Sequence, residues 1–538
     1  MTGAEGDHSG RTVAQAGGQV AVAALVSRLT GFLRTLLLAA ALGTAAVADA
    51  YNGANSFPNM VYELLLGGLL SSLFIPMLMR ARLRGRQYTD VFTQRVLAAG
   101  AVAMALLTMA AVAAAPLLAA VMVTDRAQRE LTTMLAYLLL PQIFFYALAA
   151  MVTAVLNVGG SFAAPAWAPV INNVIVVITV VAFLAAPGPV TLVPASMTAL
   201  QVSILGVGTT LGVAAQAIWA VVALQRSGFR WSWRVRILPY TWRPVWVGLP
   251  LLGWVVAYAA ISQVGVAVTL RVAFGHGGVS IYTYADLIFQ VCYGILGVSL
   301  LTVLMPRIAH AVVRADRSAV VADLGRGARY AIVALIPVTI AVSVLAPALS
   351  TVIFVGQVDV EAAHLIGVTA EAAAFGLVPL ALVMLQMRVF YAGRDARTPA
   401  LINMAMVATK IVVIVAAAAL LPSRLVVVML GVGASLSFVV GAGVGHVLLR
   451  RRYGLLGFHQ VAATLGRVSL AALIAGGCCL AVVLVVKTAV AEPRLAALLA
   501  LVAGTATGLA AFFIAAHRIG IPELRIVRAL LQPTRRAT

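Results

Sequence analysis

Charge is what this 538-residue chain has least of: Asp, Glu, Lys and Arg together supply 10% of it. Carboxylates number only sixteen, and lysine occurs only as Lys410 and Lys487. The three cysteines, Cys292, Cys478 and Cys479, lie in apolar runs without CxxC spacing. That excludes a disulfide framework and a thiolate metal site. Seven histidines form no cluster, so no imidazole ligand set is expected. There is no P-loop and no GxSxG elbow, and no polar stretch long enough to house a soluble catalytic domain. An intramembrane enzyme needs a paired acid and base, and these carboxylates are scattered. The expectation is a protein without catalytic residues, metal or organic cofactor.

Apolar sequence is what the chain does have. Hydrophobic residues make up 63%, with mean hydropathy +1.05; soluble domains average about 45–50% apolar and about 25% charged. Runs of about 20 apolar residues recur, each able to cross ~30 Å of hydrocarbon. They are continuous rather than alternating, which selects helices over a barrel. The expected fold is an all-α polytopic membrane protein with fourteen spans: 18–42, 55–79, 92–123, 131–156, 165–187, 199–225, 244–272, 279–306, 328–354, 362–390, 399–421, 425–449, 465–487 and 495–517.

The net charge of +21 would suit nucleic acid, but its placement does not. The arginines sit in short loops between apolar runs, where they set orientation. One set of alternate loops, with the tails, holds twenty-eight basic residues, the other set six. The positive-inside rule then predicts fourteen spans with both termini cytoplasmic. The polar stretch 1–17 reads as a cytoplasmic tail without a small-residue cleavage site. "WSWRVRILPYTW", 231–242, mixes Trp, Tyr and Arg and reads as an interfacial amphipathic segment. It divides six spans from eight. The expected organisation is a tail at 1–17, a first lobe at 18–226 and a linker at 227–243. A second lobe at 244–450, two further spans within 451–517 and a tail at 518–538 complete it. The repeat of six rests on span count, because the halves share no strong identity.

The ionisable residues inside spans carry the functional reading. "LVSRLTGFLRTLLLAAALG", 25–43, places Arg28 and Arg34 in the first span. A cation at the centre of a lipid helix costs at least ~2.5–3.5 kcal/mol. Snorkelling rescues Arg28 more readily than the deeper Arg34. Two explanations compete: structural ion pairs, with Asp49 and Glu63 as partners, or a polar cavity. In "YNGANSFPNMVYELLLGGLLSS", 51–72, Asn52, Asn55, Asn59 and Glu63 recur at spacings of three and four, which makes a polar stripe on one helical face. Asn172–Asn173 and Asp286 lie inside later spans, and Glu371 and Lys410 are lone charges that could pair with each other. "FYAGRDARTPALIN", 390–403, reads better as a helix cap and turn. Two fixed cations in a polar cavity suit an anion, and forked guanidinium donors match phosphate.

Four segments carry a family resemblance. They are "SRLTGFLRTLLLAAALGTAAVADAYNGANSFPNMVYELLLGGLLSSLFIPML", "AVLNVGGSFAAPAWAPVINNV", "YTYADLIFQVCYGILGVSLLTVLMPRIA" and "VFYAGRDARTPALIN". In this order they resemble the MurJ/MviN lipid II flippases of the MOP exporter superfamily, over roughly residues 18 to 450 and onward to 517. The resemblance implies fourteen helices, two six-helix lobes around a central cavity, and two added C-terminal helices. It implies outward transfer of undecaprenyl-pyrophosphate-linked lipid II by alternating access, in the bacterial cytoplasmic membrane. Arg28 and Arg34 match the first-helix arginines taken as pyrophosphate contacts. Ser27, Asp49, Asn59, Ser280 and Asp286 match other polar cavity positions, and Asn52, Asn55 and Glu63 complete the candidate substrate-binding set. The chain departs from the family pattern at Thr35, Tyr62, Glu63, Gly67 and Leu287, which leaves a less basic cavity. The Arg-, Ala- and Val-rich composition fits an actinobacterial variant.

Coupling to a monovalent ion or to membrane potential is expected. Lys410 lies in the helix that holds a sodium site in some relatives, and Glu371 is the second ion-coupling candidate. Expected partners are lipid II, membrane lipids and cell-wall synthesis or division proteins, with no nucleic acid. The competing classes are a MATE-like exporter of another substrate, which would want an acidic cavity for cations, and a non-transporting cell-wall scaffold. An intramembrane glycan transferase is the remaining alternative.

Overall fold

The computed structural model describes residues 4–64, 74–188, 192–229, 231, 249–454 and 459–521. The expected interfacial segment, apart from Trp231, and most of the expected C-terminal tail lie outside the described residues, as does Gly67. Among the described residues the structure is helical, without strands. The chain divides into two compact units, Met1–Ser280 and Ile281–Thr538.

The first unit contains α1 (Ala4–Leu42), α2 (Ala46–Leu64), α3 (Ile75–Arg82), α4 (Arg86–Ala113) and α5 (Ala115–Met122). It continues with α6 (Arg126–Leu139), α7 (Gln142–Val158), α8 (Ala163–Ala185), α9 (Ala199–Arg226) and α10 (Leu249–Gly275). The expected span 92–123 is broken after Ala113, where Pro116 enters the first turn of α5. The span 131–156 is broken at Pro141, which has no N–H to continue the ladder of α6. Local chemistry fixes the helix starts. Asp125 accepts the Gln128 N–H at 2.8 Å, and Thr198 and Gln201 form a reciprocal capping box before α9. Helix α8 packs on α1 and α9, α7 packs on α9, and α2 packs on α6. Helix α10 packs on α2 and α5. It therefore lies in the first unit, one helix beyond the lobe boundary expected from the linker.

The second unit contains nearly all of α11 (Val279–Val313), then α12 (Arg317–Ile353), α13 (Val360–Ala373) and α14 (Leu377–Ala392). It continues with α15 (Arg397–Leu420), α16 (Ser423–Tyr453), α17 (His459–Ala489) and α18 (Pro493–Ile519). Helices α17 and α18 form a hairpin packed on α12. Val468, Ala471, Ala472 and Phe512 from that hairpin close over Ala331, Ile332 and Leu335. Small residues let these backbones approach. A 3₁₀ turn, Ala374–Gly376, interrupts the span expected at 362–390. The motif at 390–403 is a cap, as the sequence suggests: Asp395 accepts the Thr398 N–H at 3.0 Å and its hydroxyl at 2.8 Å.

Among the described residues, twelve helical segments are long and apolar enough to cross a bilayer. Of the other two expected spans, 55–79 takes in the end of α2 and the start of α3 with 65–73 outside the described residues, and 279–306 falls on α11, where some side chains are not described. The chain is a multi-pass helical membrane protein.

Candidate functional site

The first span presents two faces. Leu25, Leu29 and Leu33 are exposed along one. Ser27, Thr30, Gly31 and Arg34 recur at three and four along the other, which packs against α8. Asn173 of α8 bridges that strip, donating its amide to the Ser27 carbonyl at 3.1 Å and to Thr30 Oγ1 at 3.0 Å. Gly31 faces the same amide, leaving it room. Arg34 closes the strip. It is half-buried, and its Nε is buried without a hydrogen-bond partner. Its guanidinium stands within electrostatic range of the Tyr51 and Tyr146 hydroxyls. Tyr51 in turn shares a 2.8 Å hydrogen bond with Thr209 of α9. Six residues separate the arginines, about 600° of helical rotation, so they do not share a face. Arg28 is exposed on the flank.

The two carboxylates that could have neutralised these arginines are engaged elsewhere. Asp49 is 1% exposed and accepts the Ser280 N–H at 2.7 Å, at the start of α11. Glu63 is exposed and accepts the Gln263 amide of α10 at 3.3 Å. Among the described residues neither arginine has an ion pair.

The α2 stripe is real but not uniform. Asn52 donates to Ser280 Oγ at 3.0 Å, and Asn59 donates to the Asn55 carbonyl at 2.9 Å. Asn55 Oδ1 is buried without a hydrogen-bond partner. Gly53, between them, packs so tightly on Phe274 that a Cβ would sit 2.1 Å from its ring. Ser280 is fully buried, so with Asp49 it joins helices rather than presenting a surface. Ser27 contributes its backbone carbonyl to the strip. Sequence reasoning missed Tyr51, Tyr146, Thr209 and Gln263. Tyr51 stands next to Asn52 at the head of the stripe, but nothing in the sequence marks the other three.

In the second unit the expected Glu371–Lys410 partnership is replaced by two separate arrangements. Glu371 on α13 lies within charge–charge range of Lys487 on α17. Lys410 Nζ lies 5.8 Å from the Tyr282 ring centre, within range of half-buried Asp286 on α11. Helices α13 and α15 thus hand their charges to different neighbours. Among the described residues no cluster of His, Cys, Asp or Glu could hold a metal ion.

Helices in this number, with a half-buried arginine that has no ion pair among the described residues, point to a polytopic transporter. Solved structures agree on the fold. The chain superimposes on a structure titled "Lipid II flippase MurJ, inward closed conformation" with TM-score 0.74 and 17% identity, covering 95% of this chain and 99% of that one. An inward-facing multidrug-resistance MATE family transporter of the MOP superfamily gives TM-score 0.62 at 15% identity, over 80% and 96%. A family model described as "Lipid II flippase MurJ" matches residues 38–499, and the chain belongs to that family. The lipid II flippase MurJ of Burkholderia cenocepacia is 30% identical over 442 residues, 79% of this chain and 80% of that one. A probable lipid II flippase of Rhizobium meliloti is 28% identical over 392 residues, 70% of each.

Proposed function

We propose that this protein carries lipid II from the inner to the outer leaflet of the bacterial cytoplasmic membrane, by alternating access, as a transporter rather than an enzyme. The observation that supports the substrate class most directly is the state of Arg34: deep in the first span, half-buried, and without an ion pair among the described residues, Asp49 and Glu63 bonding elsewhere. A permanent cation kept free of carboxylates suits an anion, and its forked donors fit a diphosphate. Arg28, exposed one-third of a turn round the helix, supplies a second cation along the same approach. Asn52, Asn55, Asn59 and Glu63 offer donors and acceptors for sugar and peptide groups. Asp286 and Lys410 form the corresponding charged element of the second unit.

Carrying the headgroup through hydrocarbon unaided would forfeit its hydrogen bonds at a few kcal/mol each. Membrane potential, negative inside, favours outward movement of an anion by about 2.3 kcal/mol per charge per 100 mV. Two diphosphate charges gain about 4–5 kcal/mol on that basis. Both termini lie in the cytoplasm in this proposal, following the loop arginines. The Lys410 ammonium takes the place of a mobile coupling cation, and cell-wall synthesis proteins are the candidate protein partners. A scaffold role would leave the span-one arginines dispensable.

Leaflet-specific labelling of lipid II in cells depleted of this protein tests the proposal. Complementation by the unaltered chain is expected to restore outward exposure. Arg28→Ala and Arg34→Ala are expected to block it at normal protein abundance. Restoration by both variants would sink it.

A further inference from the structure

A cavity of about 460 Å³ lies within the first unit, away from the arginine strip, where α3, α4, α7 and α9 end or begin. Ligand sites usually occupy about 300–1,000 Å³. Its polar lining has both signs. Arg82 comes from the last turn of α3 and Asp90 from the first turns of α4, with Thr93, Ser161 and Ser227 around them. Asp90 is half-buried and has no ion pair among the described residues. Arg82 spends one N–H on the Val158 carbonyl at the end of α7, and a guanidinium has five donors. Val155, Val158 and Phe229, each only partly buried, form the apolar wall.

The surroundings place the cavity at the depth of a membrane surface. Tyr88 is 41% and Trp231 39% exposed beside it, and Phe229, which lines it, packs edge-on against Trp231 at 5.1 Å. Such aromatics concentrate at the bilayer interface. A simple anion in the cavity would face the Asp90 carboxylate, and the carbonyl ends of α7 and α9 offset the favourable start of α4. A simple cation would face Arg82. A compact zwitterion satisfies both.

We infer that this cavity binds the phosphoethanolamine headgroup of a membrane phospholipid, with the phosphate at Arg82 and the primary ammonium at Asp90. The lipid's first methylenes lie against Val155, Val158 and Phe229, whose exposed apolar surface a water-soluble headgroup would leave uncovered. A primary ammonium donates hydrogen bonds to the Asp90 carboxylate. A choline group donates none and calls for an aromatic cage, and among the described residues one aromatic, Phe229, lines this cavity. A glycerol headgroup carries no cation for Asp90.

The test is native mass spectrometry of the full chain released from nanodiscs of equimolar phosphatidylethanolamine, phosphatidylglycerol and phosphatidylcholine with matched acyl chains. One retained phosphatidylethanolamine per chain is expected, favoured at least about tenfold, the value of one charge-assisted hydrogen bond. Asp90→Asn is expected to erase the preference over phosphatidylglycerol, and Arg82→Gln to lower retention of all three lipids. Equal retention of phosphatidylglycerol or phosphatidylcholine by the unaltered chain overturns the inference, as does an unchanged preference in Asp90→Asn. The three-lipid competition in the unaltered chain decides the matter even where Arg82→Gln disturbs the end of α7. Displacement of the lipid by soluble glycerophosphoethanolamine at equal concentration would make the ligand a cytosolic solute and overturn the lipid assignment.

Discussion

Asp49 of α2 holds the backbone N–H of Ser280, in the first turn of α11, at 2.7 Å. A carboxylate from one helix thus caps the start of another 231 residues further along the chain. Helix N-termini favour negative charge and leave orphan N–H groups, and no residue next to α11 in sequence supplies the carboxylate. The serine hydroxyl adds a second tie by accepting the Asn52 amide at 3.0 Å.

This geometry separates the two side chains. Asp49→Ala removes the cap and is expected to cost about 1–2 kcal/mol. Ser280→Ala leaves the capped N–H in place and is expected to cost about 0.5–1.5 kcal/mol. Thermal unfolding in detergent should rank Asp49→Ala below Ser280→Ala. The reverse order would mean that the hydroxyl, not the helix end, carries the link.

Arg34 is expected to require its fork as well as its charge. Losing one charge-assisted hydrogen bond of about 1.5–3 kcal/mol lowers flipping roughly ten- to a hundredfold. Arg34→Lys should sit nearer the tenfold end and Arg34→Gln should fall below it, both at unchanged protein level. The readout is the rate of outward lipid II exposure in reconstituted vesicles.

Close helix packing in the second unit depends on Gly367 of α13. A Cβ there would lie 2.3 Å from the Pro347 Cα and 2.6 Å from the Ala346 carbonyl oxygen, both backbone atoms of α12. Gly367→Ala is expected to destabilise by about 1–3 kcal/mol through overpacking. Gly443→Ala in α16, with nothing within 4 Å of the new methyl, is expected to gain about 0.5–1 kcal/mol from helix propensity. Opposite shifts in melting temperature are the check.

The start of α12 is expected to respond to acid. Its cap, Asp316, is held below the usual carboxylate range, first by the Ala319 N–H and then by the Ser318 hydroxyl. A depressed folded value stabilises above the unfolded value, about 3.9, and that gain disappears as pH falls through the folded value. Hydrogen-exchange protection over 319–323 should therefore fall below about pH 4. Asp316→Asn should flatten this dependence.

Lys410→Met removes the ammonium that lies over Tyr282 and within range of Asp286. Flipping by the unaltered chain is expected to ignore a sodium gradient. The variant is expected to lose at least about tenfold in rate, because the attraction between the ammonium and Asp286 is lost. Sodium stimulation of the unaltered chain, measured in proteoliposomes, would refute the substitution.

Much of this protein was legible in its residues. Continuous apolar runs name helices because lipid offers the backbone no other partner, and spacings of three and four put Asn52, Asn55 and Asn59 on one side of α2. The breaks at Pro116 and Pro141 were visible in the sequence too, but hydropathy windows average over them. Lys410 and Glu371 could be seen as lone charges in their spans, yet their partners could not. Tyr282 and Asp286 sit on α11 and Lys487 on α17, and no periodicity within α13 or α15 points to either helix.

The sequence by itself determined a multi-pass helical protein with two unneutralisable cations in its first span, because membrane length, backbone satisfaction and guanidinium chemistry are local properties. Tertiary structure alone decided whether those cations would be paired. Which carboxylate meets which donor depends on helix contacts up to 231 residues apart in sequence. The fold took Asp49 to the start of α11 and Glu63 to Gln263, and among the described residues it left Arg34 without an ion pair.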